Sequence, residues 1–389
     1  MKRNHTMSLL RQQVNTVRLP AAVIPENPGS ESGAGAGIQS GSRCRIKSGM
    51  TPHGTAGPTT RFFLMTALFT ALLTVFGSWS CSKSNYSGKV ETVIIGATPI
   101  ELNALIYVAD EQKFFTNNGV RVVFKDYDTG VAAVDGLLKG EADIALTTEF
   151  VIVGKLLQKQ AVLDLVTIDK SMLFYIIARA DRGIKTTTDL KGKRIGVPRQ
   201  TITEFYLGRM LELNGMRLQQ VTMVDTKASD PAGTIAGGDV DAIVTWEPHV
   251  TQIRQQMGNT VIIWPAQSGQ VSFWSVASTP GWIKQHPDLV NRFLRSLAPA
   301  EGYIIQHPVE AKKILQKRLK LDDTYIATVW SQNQFSLSLD QSLILAMEDE
   351  ARWMIKNNLT TEKHIPDFTN YIYIDGLKAL KPEVVKIIR

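Results

Sequence analysis

Four short stretches of the 389-residue chain place hydroxyl, carboxylate or aromatic side chains directly after apolar runs. They are Thr98-Pro99-Ile100-Glu101, Thr147-Thr148-Glu149-Phe150, Arg199-Gln200-Thr201-Ile202-Thr203-Glu204 and Thr245-Trp246-Glu247-Pro248. A hydroxyl beside the free N–H groups of a helix start suits an anion, because that end of a helix carries about +0.5 charge. Thr98, Thr147, Thr148, Thr201 and Thr203 are the candidates for that work, with Arg199 as a charged partner. Glu101, Glu149 and Glu247 would instead accept hydrogen bonds from an amine or a ring N–H, and Trp246 offers a flat face to a solute. Thr98, Thr147, Thr201 and Thr203 are equally good helix N-caps, and acids in first turns favour the helix dipole without any ligand. An anion beside an ionised Glu149 or Glu247 would lose about 1–4 kcal/mol at ~4 Å unless those side chains turn away. A zwitterion or an amino-heterocycle therefore fits these residues at least as well as a plain oxyanion.

Other chemistries find little support. The two cysteines, Cys44 and Cys81, precede the globular part, which leaves it no disulfide, thiol nucleophile or cysteine-based metal site. His249, His286, His307 and His364 are scattered, and no His-Glu-x-x-His, Gly-x-Ser-x-Gly or P-loop stretch occurs. No cofactor or metal is expected. The formal charge of +7 is concentrated at the start: residues 1–81 hold eight Lys/Arg and two Asp/Glu, leaving 35 bases and 34 acids beyond. A nearly neutral body without basic, aromatic-interleaved runs argues against nucleic-acid binding.

The elements that must position the four stretches are legible from Val90 onward. Apolar runs at Thr92–Ala97, Val120–Lys125, Asp143–Leu146 and Val162–Ile168 form one strand series. Arg194–Pro198, Val221–Asp225, Asp241–Val244 and Val261–Trp264 form a second. Helical patterns such as Glu101–Gln112 and Thr203–Leu213 lie between, which predicts α/β lobes with mostly parallel sheets flanked by helices. In such sheets ligands bind beyond the carboxyl ends of strands, where the four stretches sit.

The series repeat one another. Gly140-Glu141-Ala142-Asp143 parallels Gly238-Asp239-Val240-Asp241, and Asn118-Gly119 parallels Asn214-Gly215, at offsets of 98 and 96. Two extended crossings, Phe174–Ala180 and Val271–Ser278, join the lobes, and Phe273 and Trp274 on the second read as hinge packing. The expected division gives residues 90–178 plus 273–389 to lobe one and 179–272 to lobe two, with a helical C-terminal segment (Pro287–Gln306, Val309–Leu319, Asp340–Asn357). Two crossings make a hinge, and a hinge makes a cleft that can close on a solute.

Three further patterns carry a family resemblance: Asp189-Leu190-Lys191-Gly192-Lys193-Arg194-Ile195-Gly196-Val197, Leu138-Lys139-Gly140-Glu141-Ala142-Asp143-Ile144-Ala145, and Asp241-Ala242 followed by Trp246-Glu247-Pro248. In order and spacing, over roughly residues 90–310, the chain resembles the solute-binding proteins for aliphatic sulfonates, taurine and nitrate, with the thiamine-pyrimidine-precursor proteins of the same superfamily. The resemblance implies a two-lobed type-II periplasmic-binding fold that captures a small solute and hands it to an ABC permease and its ATPase. The alternatives are a sensory binding protein and an enzyme. The pyrimidine-synthesising relatives use a Cys- and His-rich iron-binding stretch, which this chain lacks.

The first 89 residues read as an address. Residues 1–60 are Gly-, Ser-, Thr- and Pro-rich, and a start of translation near Met50 would explain them. Residues 61–81 read as a signal peptide, since the apolar run Phe62–Phe76 rises only ~22 Å as a helix against a ~30 Å hydrocarbon core. Cys81 stands where a bacterial lipoprotein carries its lipid, ahead of a polar tether at 82–89, with plain cleavage nearby as the alternative. A periplasmic or membrane-tethered location follows as the expectation.

Overall fold

The computed structural model describes residues 86–388. Cys81, the segments 1–60 and 61–81 and the start of the tether lie outside the described residues. Twelve strands run in chain order: β1 Glu91–Ala97, β2 Val120–Asp126, β3 Ile144–Thr148, β4 Leu163–Ser171, β5 Phe174–Arg179, β6 Arg194–Val197, β7 Thr222–Asp225, β8 Ala242–Trp246, β9 Val261–Pro265, β10 Ser272–Ser278, β11 Asn333–Asp340 and β12 Val385–Lys386. The α-helices are α1 Ala104–Glu111, α2 Phe114–Asn117, α3 Gly130–Leu138, α4 Glu149–Leu157, α5 Ile202–Leu213, α6 Pro231–Gly237, α7 His249–Met257, α8 Pro280–Gln285, α9 Pro287–Gln306, α10 Pro308–Leu319, α11 Asp323–Trp330, α12 Gln341–Lys356 and α13 Ile374–Leu380.

The strands form two sheets, ordered β12-β11-β4-β10-β3-β1-β2 and β7-β6-β8-β5-β9. Both are mixed rather than mostly parallel. The β2-β1-β3 and β7-β6-β8 cores are parallel, while β10 and β5, which cross between lobes, lie antiparallel against β3 and β8. The chain changes sheets at Met172-Leu173 and returns through residues 266–271, so the expected division after residue 178 falls inside β5. The C-terminal segment is not wholly helical. In β11, Phe335, Leu337 and Leu339 are buried and alternate with partly exposed Ser336 and Ser338, a two-residue period that pairs the strand with β4.

The sequence repeat has a shared physical cause. Asp143 accepts the Ile94 N–H at 2.8 Å, and Asp241 accepts the Arg194 N–H at 2.9 Å. Each aspartate thus clips the start of one parallel strand to its neighbour. Gly119 and Gly215 take φ of +69° and +71° after the helix-ending Asn118 and Asn214, whose side-chain amides donate back to the Phe114 and Met210 carbonyls.

One large apolar core runs through both sheets and their helices, and a smaller cluster of Ile177, Ile235, Val240, Ile243, Val250 and Ile253 packs the second sheet. Helix α12 joins the lobes. Its Trp353 meets Phe150 of α4 and Phe205 of α5, at ring centroids of 6.2 and 5.5 Å. Lys356 and Asp349 of α12 pair with Glu212 and Arg209 of α5 at 2.8 and 3.7 Å.

Candidate functional site

The carboxyl ends of the parallel strands converge on a cavity of about 40 Å³. Its walls include Thr98 and Ile100 after β1, Thr147 and Thr148 at the end of β3, Thr201 and Ile202 after β6, and Trp246 at the end of β8. Phe174 at the start of β5 and Trp274 of β10 also line it. The strand-end rule therefore brings together Thr98, Thr147, Thr148, Thr201 and Trp246.

The remaining sequence-derived candidates lie elsewhere. Pro99 is exposed. Arg199 sits 3.1 Å from Glu204 and is not in the cavity wall. Thr203 is buried against Thr201, with the hydroxyls 2.6 Å apart. Glu247 turns back on its own helix, accepting the Thr251 N–H at 3.0 Å and the Thr251 hydroxyl at 3.2 Å. Glu101 and Glu149 are buried outside the wall. Burial pushes the Glu101 carboxyl up to about 7, against the pull of its own N–H and the Tyr325 hydroxyl. Burial likewise pushes Glu149 up. Backbone N–H groups of Phe273, Glu149 and Phe150 pull the other way without forming an aligned hydrogen bond to either oxygen.

The cavity wall thus contains no charged side chain. It contains unused polar groups instead. The hydroxyls of Thr98, Thr147 and Thr148 are buried without a hydrogen-bond partner. Thr148 and Thr201 are the N-cap residues of α4 and α5, yet neither hydroxyl caps its helix; Thr201 donates to the Pro198 carbonyl at 2.7 Å. Two helix starts of nine and twelve residues therefore face the cavity with first-turn N–H groups unserved by side-chain caps. For Thr201 the capping alternative fails on this geometry.

Three aromatics form the other wall. Trp246 meets Phe174 edge-on at 6.2 Å, and the Trp274 indole N–H donates to the Asn103 side chain at 2.8 Å. Trp274, expected in hinge packing, is a wall residue because β10 pairs with β3 in a register that sets Trp274 opposite Thr148. Sequence reasoning also missed Thr129 and Gly130, which open α3. They follow the second parallel strand as the other stretches follow theirs, so the same rule applied to β2 finds them. Gly130 is required there, since a Cβ would lie 2.5 Å from the Thr147 hydroxyl oxygen. Among the described residues, no group of three or more His, Cys, Asp or Glu is placed to hold a metal, and no helix is long and apolar enough to cross a membrane.

Comparison with known proteins agrees with this architecture. Four binding proteins of Brucella abortus, Brucella suis and Brucella melitensis are 26% identical over 176 residues, 43% of this chain, and the chain spans 54% of their length. The taurine-binding periplasmic protein of Escherichia coli is 24% identical over 289 residues, covering 70% of this chain and 81% of that one. The formylaminopyrimidine-binding protein of Halalkalibacterium halodurans is 22% identical over 258 residues, 64% of this chain and 77% of that one. In fold, the chain is similar to the alkanesulfonate-binding protein SsuA of Xanthomonas axonopodis pv. citri bound to MOPS, with a TM-score of 0.65 at 15% identity, over 74% and 99% of the two chains. The desulfurization enzyme DSZB has the same fold, with a TM-score of 0.54 at 17% identity over 74% and 98%. The two-lobed periplasmic-binding architecture is thus common to binders and to at least one enzyme. The NMT1/THI5-like pattern matches residues 79–311, and the chain belongs to that family.

Proposed function

We propose that this chain is the exported solute-binding component of an ABC importer and that it captures a small organic oxyanion, foremost a sulfonate. The oxyanion sits on the starts of α4 and α5 against the hydroxyls of Thr98, Thr147 and Thr148, and its organic part lies on Trp246, Phe174 and Trp274. The observation that carries the reading is the set of three buried, unpartnered hydroxyls around a cavity with no charged wall residue. A buried hydroxyl left unpaired costs about 1–3 kcal/mol, and a bound oxyanion would repay that. The carboxylates that would repel it are turned away, as with Glu247, or held toward their neutral form by burial, as with Glu101 and Glu149.

Capture proceeds by closure, because the wall residues belong to both sheets and a solute touching both favours the closed arrangement by its differential affinity. Delivery to a membrane permease and its ATPase follows, with a lipid on Cys81 tethering the protein.

Thr148→Val tests the reading without touching a helix cap, since that hydroxyl makes none. Loss of a hydrogen bond to a charged oxygen costs about 1.5–3 kcal/mol, so ethanesulfonate affinity should fall about 10- to 100-fold by calorimetry. Equal binding by the variant, or binding of ethylamine in place of ethanesulfonate, would overturn the proposal.

A further inference from the structure

We propose that a second cavity, at the seam of the two lobes, is a separate binding site for a small zwitterion carrying an amino group and a carboxylate or sulfonate. This cavity measures about 370 Å³, within the range of small-molecule sites and roughly nine times the volume of the first. One wall is α4, one is the start of α5, and the third is the end of α12 with the turn after it through Thr361. The two cavities share Val151 as a common wall.

Its polar lining holds one buried charge of each sign. Lys155 is 6% exposed and Glu204 is 2% exposed. Lys155 has its partner outside the cavity wall, Glu204 has one within it and one outside, and each has spare capacity. Lys155 donates to Asp135 at 2.5 Å, which engages one of its three N–H bonds. Glu204 accepts the Gln200 N–H with one oxygen; the other lies 3.1 Å from Arg199 but receives no aligned hydrogen bond. A simple anion would meet Lys155 and leave the Glu204 carboxylate facing it, and a simple cation would do the reverse. A molecule with both charges satisfies both, while the side chains of Gln158, Asn358 and Thr360 serve its remaining polar atoms. Because α4 belongs to one lobe and α5 to the other, filling the seam favours the same closed arrangement as the cleft solute, so each ligand should tighten the other.

The site does not depend on what the cleft binds, and the test separates the two. The full chain carrying Trp246→Ala, which damages the cleft, is titrated with β-alanine, and with propionate and ethylamine as single-charge controls. β-Alanine should bind at millimolar concentration or below, and both controls at least tenfold more weakly. Gly154→Leu should then lower β-alanine affinity at least tenfold with the circular dichroism spectrum and melting temperature retained. The nearest atom to a Cβ at residue 154 is the Met354 methyl at 3.6 Å, so the longer side chain enters the cavity without an initial clash. Glu204→Gln should erase the preference for β-alanine over propionate. Failure of β-alanine to bind, or unchanged binding by Gly154→Leu, would overturn the second site and leave the cleft assignment as it stands.

Discussion

Replacing Gly208 by alanine is expected to destabilise the protein by about 1–3 kcal/mol, although the same change in an exposed helix interior stabilises by up to about 1 kcal/mol. The reversal comes from the other side of the contact. Gly208 lies in the middle of α5, and a Cβ there would sit 2.2 Å from the Trp353 ring carbon Cζ2. Trp353 cannot swing away freely, because it is 3% exposed and held between Phe150 and Phe205. Either α5 moves off α12 or the aromatic cluster is repacked. Urea denaturation reads the loss as a lower midpoint at unchanged slope. Trimming the indole should rescue it: in the Gly208→Ala, Trp353→Leu double variant the alanine should cost less than it does against tryptophan. An alanine variant as stable as the parent would show that the α5–α12 contact does not hold the lobes as described. The contact matters for function because α12 is the helix that grips both α4 and α5, whose starts form the cleft.

Much of this arrangement was legible in the sequence, for reasons that can be traced to particular residues. Asp143 and Asp241 stood at matching places in the repeat because each clips one strand start to its neighbour, a local device that local sequence displays. The threonines and Trp246 were found because ligand sites follow from strand polarity, which short apolar runs reveal. What stayed hidden depends on distant chain. No local pattern tells that β10 sets Trp274 opposite Thr148. The direction of a carboxylate is equally remote: Glu101 faces Tyr325 of α11, more than two hundred residues later, and Glu149 is coupled by charge to Asp164 of β4. The same limit hid the seam cavity, whose walls join residues 131–158, 200–204 and 354–361. The strand β11 was different, since its alternating Phe335, Leu337 and Leu339 were visible but lay among helical segments.

Stability should fall as pH rises from about 4.5 to about 7, the opposite of the usual acid-labile behaviour. Lobe one buries Glu101, Glu149, Asp164, Asp169 and Glu350, each 1% exposed or less. Burial raises all five; Glu101 and Asp164 reach about 7, and Asp169 and Glu350 rise well above the ordinary carboxyl range. A carboxyl whose folded pKa exceeds its unfolded pKa binds its proton more tightly when folded. Its stabilisation is complete below the unfolded value near 4–4.5 and is lost as pH climbs through the folded value. At about 1.4 kcal/mol per pKa unit, Glu101 and Asp164 would withdraw about 3–4 and about 4–5 kcal/mol by pH 8. Asp241 and Asp340 act in the other sense: against burial, the Arg194 N–H and then Arg182 hold Asp241 low and Lys170 holds Asp340 low, so their contribution is lost only as pH falls below about 4. The optimum should therefore lie near pH 4–5. Glu350→Gln should raise the urea midpoint at pH 8 by more than at pH 5, because it removes a carboxyl that burial, then Glu149 and Asp349, keep protonated in the folded state at a cost that grows with pH. Ethanesulfonate binding should weaken at higher pH, as it climbs through about 8, where Glu149, next to Thr148 at the start of α4, ionises in the folded protein. A stability profile that is flat or rising between pH 4.5 and 7 would mean that these carboxyls are not held neutral, and the absence of repulsion in the cleft would then need another explanation.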